Sequence, residues 1–241
     1  MTLDEVLASL FPTGHSVQRG AFHTLHGTGR LEGAGDVALI GVADSMPLGI
    51  DGTSLLAGHV LSIIKSGSSR AILLLIDASI QNMTRRDELL GLNEYFGHLI
   101  KVLSLAARRG HRTIALLYGP AAGGAFIATG LATEILAAIP GGEPSVMDLP
   151  SIARVTKLPL GQLNAMAKTT PIFAPGLEPW FLTGGITEKW DTGKPLADQL
   201  VNVLRTDIDT RDRRDEIGLA RKGRLEAAAI AQRVAKEAAH G

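Results

Sequence analysis

The chain has 241 residues, 45% apolar and 20% charged, with Lys+Arg and Asp+Glu balanced at 24 each. That length and composition suit one large soluble α/β domain, and a zero net charge argues against nucleic acid, whose phosphates demand a clustered basic excess. The absence of cysteine excludes disulfides, thiolate nucleophiles and cysteine-ligated metals.

The opening "MTLDEVLASLF" lacks the basic lead and apolar core of a secretory signal. No apolar run approaches the roughly 18–20 residues of a membrane span, so a soluble, cytoplasmic protein is expected. Thr2-Leu3-Asp4-Glu5 is a capping box that opens a short helix with Leu3, Val6, Leu7 and Leu10 on one face. Residues 20–35, rich in Gly and His, predict a hairpin or loop. "DVALIGVAD", residues 36–44, reads as a buried strand. A helix is predicted over Asp51–Lys65, stopped near Gly67. "AILLLID", 71–77, is apolar throughout and too short for a helix, the signature of a strand buried on both faces.

After the loop "ASIQNMTRRDE", one long helix is expected from about Arg86 to Arg109, stopped by Gly110. "RTIALLYG" is the next strand, and it runs straight into "PAAGGAF". "EILAAIPGGEPSVMD" predicts two short strands around a Gly-Gly turn. Beyond residue 148 the pattern is helical, with Pro breaks at 159, 171, 175 and 179. The tail, about 211–239, reads as amphipathic helix, either solvated or docked on a partner. Strands alternating with helices over 36–148 indicate a βαβ series with parallel pairing. Neither repeats nor a linker divide the chain, so 1–241 is expected to be a single domain.

The turn "YGPAAGGAFIATG", 118–130, is the most informative stretch. A phosphate-binding loop needs Lys-Ser/Thr where Ala125-Phe126 stand, and the glycine spacing does not fit a dinucleotide fingerprint. A strained nucleophile turn needs a hydroxyl at Ala121, Ala122 or Gly123, and none carries one. Two readings stay open on spacing alone. One is an oxyanion hole, built from backbone N–H groups that need no particular side chain. The other is close helix–strand packing that merely requires glycine.

The order "ILLLID", long helix, "TIALLYG", "PAAGGAF", "ATEILAAIPGGEPSVM" resembles the crotonase superfamily, and more closely the C-terminal half of acyl-CoA carboxyltransferases. With "KTTPIFAPG" at 168–176 and the chain length, it resembles the γ subunit of biotin-independent malonate decarboxylase. The resemblance implies a crotonase-like (ClpP/crotonase) ββα superhelix. It also implies an oxyanion hole at the N–H groups of Gly124 and Ala125, with Gly123 allowing the approach. Substrate contacts would fall at Phe126, Ile127, Asp77, Ala78 and Ser79.

Two positions depart from the pattern. Ile127 stands where relatives often have a substrate-determining Asp, and Ala78-Ser79-Ile80-Gln81 replaces a Pro-Gly-Phe turn of the biotin-dependent enzymes. Both argue against biotin. The implied activity is decarboxylation of malonyl-S-acyl carrier protein to its acetyl form together with a β subunit. The carrier supplies a phosphoribosyl-dephospho-CoA arm, and no cofactor is held covalently here. On this view the β subunit's hole takes the enolate, and the γ side grips the departing carboxylate. A stand-alone enoyl-CoA hydratase or isomerase and a non-catalytic scaffold half are the alternatives.

Elsewhere, Glu143 and Glu134 are the acids nearest the turn, Glu143 reading better as a surface turn glutamate. His23 and His26, at i, i+3, lack the glutamate of a metalloprotease helix, so no metal is expected. Arg85-Arg86 and Arg108-Arg109 are candidate contacts for an acidic carrier, or solvated helix ends.

Overall fold

The structure is a computed structural model that describes residues 1–171, 174–207 and 211–239. Ile172 and Phe173, in the middle of "KTTPIFAPG", therefore lie outside the described residues. The capping box is formed: Glu5 accepts from the Thr2 amide at 2.7 Å, and Thr2 Oγ1 accepts from the Glu5 amide at 3.3 Å. It opens α1 (Leu3–Leu10).

The glycine- and histidine-rich stretch is a hairpin. β2 (Thr24–Leu31) pairs antiparallel with β3 (Gly35–Val42) in unbroken register from Thr24↔Val42 to Leu31↔Gly35, and the two-residue β1 (Gln18–Arg19) adds to its outer edge. α2 (Ile50–Lys65) crosses to β4 (Ile72–Ala78), which lies parallel to β3. β5 (Thr113–Ala122) is parallel to β4 in turn. Apolar runs can occupy β4 and β5 because both faces are covered. Ile72, Leu74, Ile76 and Ala78 pack with α2 and the helices that follow β4, whereas Leu73 and Leu75 pack with α1 and α9 (Leu196–Arg205).

Two expectations change. The long helix is broken into α3 (Arg85–Leu89) and α4 (Leu92–Arg108) by Gly91, whose φ of 81° is left-handed and caps α4. The two strands around Gly141-Gly142 do not pair with each other. β6 (Ile135–Ala138) and β7 (Glu143–Ser145) both lie parallel to β5, against residues 114–117 and 120–122 respectively. The glycines therefore carry the chain along one edge of β5 to its C-terminal end. α6 (Leu149–Thr156), α7 (Leu160–Thr169) and α8 (Leu177–Leu182) follow. β8 (Glu188–Lys189) closes the sheet beside β6. The tail forms α10 (Arg214–Ala220) and α11 (Ala227–Ala238). No helix among the described residues is long and apolar enough to cross a membrane.

Parallel pairing puts the C-terminal ends of β3, β4 and β5 at one edge, where α/β sheets bind ligands. The loop leaving β4 is fixed there. The Leu48 amide donates to Ile80 O at 2.9 Å and the Asn82 amide to Leu48 O at 2.8 Å, a one-residue parallel bridge between Leu48 and Gln81. Asp87, only 2% exposed, accepts from the Ile50 amide at 3.2 Å, from Asn82 Nδ2 at 3.0 Å and from Arg86 at 3.1 Å. One carboxylate thereby ties the loop to the start of α2.

Asp87→Ala leaves those donors unpaired and is expected to cost about 3 kcal/mol. The check is a lower urea midpoint together with faster amide exchange over residues 79–84. In the tail, the Arg221 guanidinium donates to the carbonyls of Phe181, Ile186 and Thr187, each at 2.8 Å, and lies 3.6 Å from the Phe181 ring centroid. Arg221→Ala should free α10 and α11 from the body, losing about 2–4 kcal/mol of local stability. Proteolytic cleavage between residues 211 and 226 at protease levels that spare the unchanged chain is the measurement.

Candidate active site

β5 runs without interruption into α5 (Gly123–Thr129). Gly123 makes that bend with a φ of +57°, a left-handed conformation that side chains resist. A Cβ at Gly123 would collide with the side-chain oxygen of Gln81, and one at Gly124 would sit 2.9 Å from the Phe96 ring. Both glycines are needed because Gln81 and Phe96 press against the turn. Packing and function thus use the same two residues.

The Gly124 amide donates to Gln81 Oε1 at 2.9 Å. Gly123 is buried, Gly124 is half-buried, and Ala125 is 0% exposed. Of the two residues expected to supply the hole's N–H groups, Gly124 is the less buried, and its N–H already donates to a planar, carbonyl-type oxygen. The turn donates to an sp² oxygen at an ordinary hydrogen-bond distance. Here that oxygen belongs to the chain itself.

The other predicted residues divide between two places. Ala78 ends β4 fully buried against Ala121, and Ser79 is half-buried in the following loop. Phe126 is 0% exposed and meets Trp180 edge-on, centroids 5.1 Å apart at 88°. Its ring is a core element that holds α5. Ile127, 40% exposed, is on the outer side of α5.

Asp77 is brought against Gly119, at the start of the turn, and not to Gly123 and Gly124. The register shifts between Ile76 and Ala78, and Asp77 lines a separate cleft of about 370 Å³ beside α1 with Thr2, Arg19, Asp44, Ser45 and Tyr118. Ser45 Oγ donates to Asp77 at 2.6 Å. Asp44 accepts from Arg19 at 2.6 Å and lies 2.9 Å from His23 Nδ1. The His23 ring first, then the Arg19 guanidinium, hold the Asp44 carboxyl below the usual carboxylate range. Asp44 and Ser45 are consecutive left-handed residues, with φ of 70° and 51°. Tyr118 is 5% exposed with its hydroxyl unpartnered, and burial, then Asp77, push its ionisation upward.

Glu143 is exposed at the start of β7, and Glu134 accepts from the Thr113 amide at 2.9 Å, at the opposite end of β5 from the turn. Of the dibasic pairs, Arg86 is engaged by Asp51 at 2.7 Å and by Asp87. No group of three or more potential metal ligands occurs among the described residues. A cavity of about 590 Å³ includes Thr113, Glu134 and Arg214, and so lies away from the turn at the N-terminal end of β5. Gln81 was missed as a site residue by sequence reasoning. Its only signal there was its place in the segment that replaces the Pro-Gly-Phe turn.

Comparison with known proteins bears on this arrangement. A malonyl-S-ACP:biotin-protein carboxyltransferase, MADD, of Malonomonas rubra is 31% identical over 127 residues, 52% of this chain. The match spans 44% of that relative's length, so this chain corresponds to less than half of it. A Pseudomonas malonate decarboxylase hetero-tetramer, solved with coenzyme A, aligns with a TM-score of 0.79 at 22% identity over 97% of each chain. Transcarboxylase 12S aligns with a TM-score of 0.68 at 15% identity, covering 88% of this chain and 42% of that one. These likenesses give the fold expected from the resemblance, crotonase-like and of carboxyltransferase type. The model of the malonate decarboxylase gamma subunit matches residues 43–238, and the chain belongs to that family.

Proposed function

We propose that the chain, acting as one domain over residues 1–241, is the γ half of a malonyl-S-acyl carrier protein decarboxylase that works with a carboxyltransferase-type β subunit. In the reaction the bond between the α-carbon and the carboxylate breaks. Its electron pair passes into the thioester as an enolate, CO2 leaves, and one proton is added to the α-carbon to give the acetyl thioester. The β subunit's donors take the enolate, while the Gly123–Ala125 turn on the γ side faces the departing carboxylate. Ser79, in the loop that leaves β4 after the buried Ala78, faces the substrate from the opposite side, and Ile127 offers an apolar contact to the β subunit. The acyl group arrives on the carrier's phosphoribosyl-dephospho-CoA arm.

The observation that carries this reading is the 2.9 Å hydrogen bond from the Gly124 amide to a planar oxygen, at the C-terminal end of a parallel strand. That bond fixes a neutral, planar carboxamide beside the turn, a group whose N–H can donate to a carboxylate oxygen. The side chains against Gly123 and Gly124 are the neutral Gln81 and Phe96. A buried lysine or arginine there would stabilise the charge that decarboxylation must disperse, and binding the ground state more tightly than the transition state slows the step.

The Malonomonas rubra relative favours a second reading, in which the carboxyl group passes to a biotin protein instead of leaving as CO2. Against it, Gln81 occupies the Gly124 donor that a ureido oxygen would require. The test is CO2 release from malonyl-S-acyl carrier protein by the co-expressed β–γ complex, with and without excess avidin. Avidin-insensitive release supports the decarboxylase, and dependence on an added biotin protein supports the carboxyltransferase. Gly124→Val, which drives a branched side chain toward Phe96, should lower turnover by about 100-fold or more in a complex that still assembles. Near-normal turnover by that assembled variant would remove the turn from the mechanism.

A further inference from the structure

Gln81 is held from three directions. Its backbone is bridged on both sides to the buried Leu48, through Ile80 O and the Asn82 amide. Its side-chain oxygen accepts the Gly124 amide at 2.9 Å. The space its carboxamide fills exists only because Gly123 has no Cβ. An amide held by its oxygen has its nitrogen fixed as well, since the group is planar. Among the described residues Gln81 Nε2 donates to nothing, and the residue is half-buried beside the turn. Accepting a hydrogen bond at the oxygen polarises the carboxamide and strengthens its N–H groups as donors.

We infer that Gln81 is the γ-side residue that recognises the malonyl carboxylate, its Nε2 donating to a carboxylate oxygen while its Oε1 stays bound to the Gly124 amide. This rests on the decarboxylase reading and deepens it. The turn does not touch the carboxylate directly but presents it with the neutral NH2 group of the carboxamide it holds. Such a donor selects thioesters that carry a free acid over those that do not. It fixes the direction of the leaving group without placing a full positive charge beside it.

The test compares the unchanged β–γ complex with Gln81→Ala and Gln81→Glu. Calorimetric titrations use malonate, and acetyl-S-pantetheine as a thioester with no carboxylate. Gln81→Ala should weaken malonate about 10-fold or more and leave acetyl-S-pantetheine within about 2-fold. Gln81→Glu keeps an oxygen for Gly124 but turns a negative group to the ligand, and should abolish malonate binding. In turnover assays on malonyl-S-acyl carrier protein, the Gln81→Ala loss should appear in KM rather than kcat. Equal or tighter malonate binding by Gln81→Ala would overturn the inference, making Gln81 a cap that substrate displaces. Equal weakening of both probes would also overturn it, leaving Gln81 a packing residue. A wild-type complex that binds malonate yet releases no CO2 refutes the decarboxylase reading, and the titrations still decide the role of Gln81.

Discussion

The parallel pairing of β4 with β5 governs the rest of the structure. Both strands are buried on both faces, so neither slides nor inverts without exposing Leu, Ile and Ala side chains to water. Once that pair is set, both chains leave the sheet at the same edge. The loop after Ala78 and the turn after Ala122 become neighbours, although Gln81 and Gly124 are 43 positions apart. The bulge between Ile76 and Ala78 lets three residues of β5, Tyr118 to Pro120, pass against the single Asp77. That bulge separates two polar regions at one edge of the sheet: Gln81 with the Gly turn on one side, Asp77 with Tyr118 and Ser45 on the other.

Elements whose evidence is local could be read from the sequence. The capping box at Thr2, α2 and the apolar cores of β4 and β5 are each specified by residues within a few positions of one another. So was the glycine turn, where missing side chains ruled out nucleophiles and phosphate loops. The break at Gly91 was not legible, because the apolar spacing of Phe96, Leu99, Val102 and Leu103 runs smoothly back through Leu92 and only the left-handed φ reveals the stop. The fate of Phe126 was not legible either. A small-residue turn followed by an aromatic fits a cleft or a core equally well, and Trp180, supplied from α8, decides for the core.

The candidate site was legible as backbone and illegible as side chain. Gly123 and Gly124 announce that something approaches closely, without saying what. The approaching groups are Gln81 and Phe96, brought by the β4 exit and by α4. Asp87 has a large indirect part in this. By holding Asn82 and the start of α2, it fixes the loop in which Gln81 sits, and nothing in the sequence marks it apart from the arginines beside it.

Two arginines at this edge of the sheet are engaged by carboxylates. Arg86 is met by Asp51 and Asp87, and Arg19 by Asp44. That leaves hydrogen-bond donors without net charge near the turn, and the proposed reaction explains why such a surface is useful. Decarboxylation begins with a full negative charge on the carboxylate and ends with that charge on the thioester oxygen. Stabilisation at the first location opposes the step, and stabilisation at the second promotes it. Two half-sites with separate donors can treat the two oxygens differently, which one symmetric pocket cannot. On the proposed reading, a neutral γ half orients the carboxylate and lets it go, while the β half supplies the donors whose bonds strengthen as the enolate forms. The same logic explains the carboxamide at position 81. It keeps the directional hydrogen bond of an arginine while withholding the charge that would hold CO2 back as carboxylate.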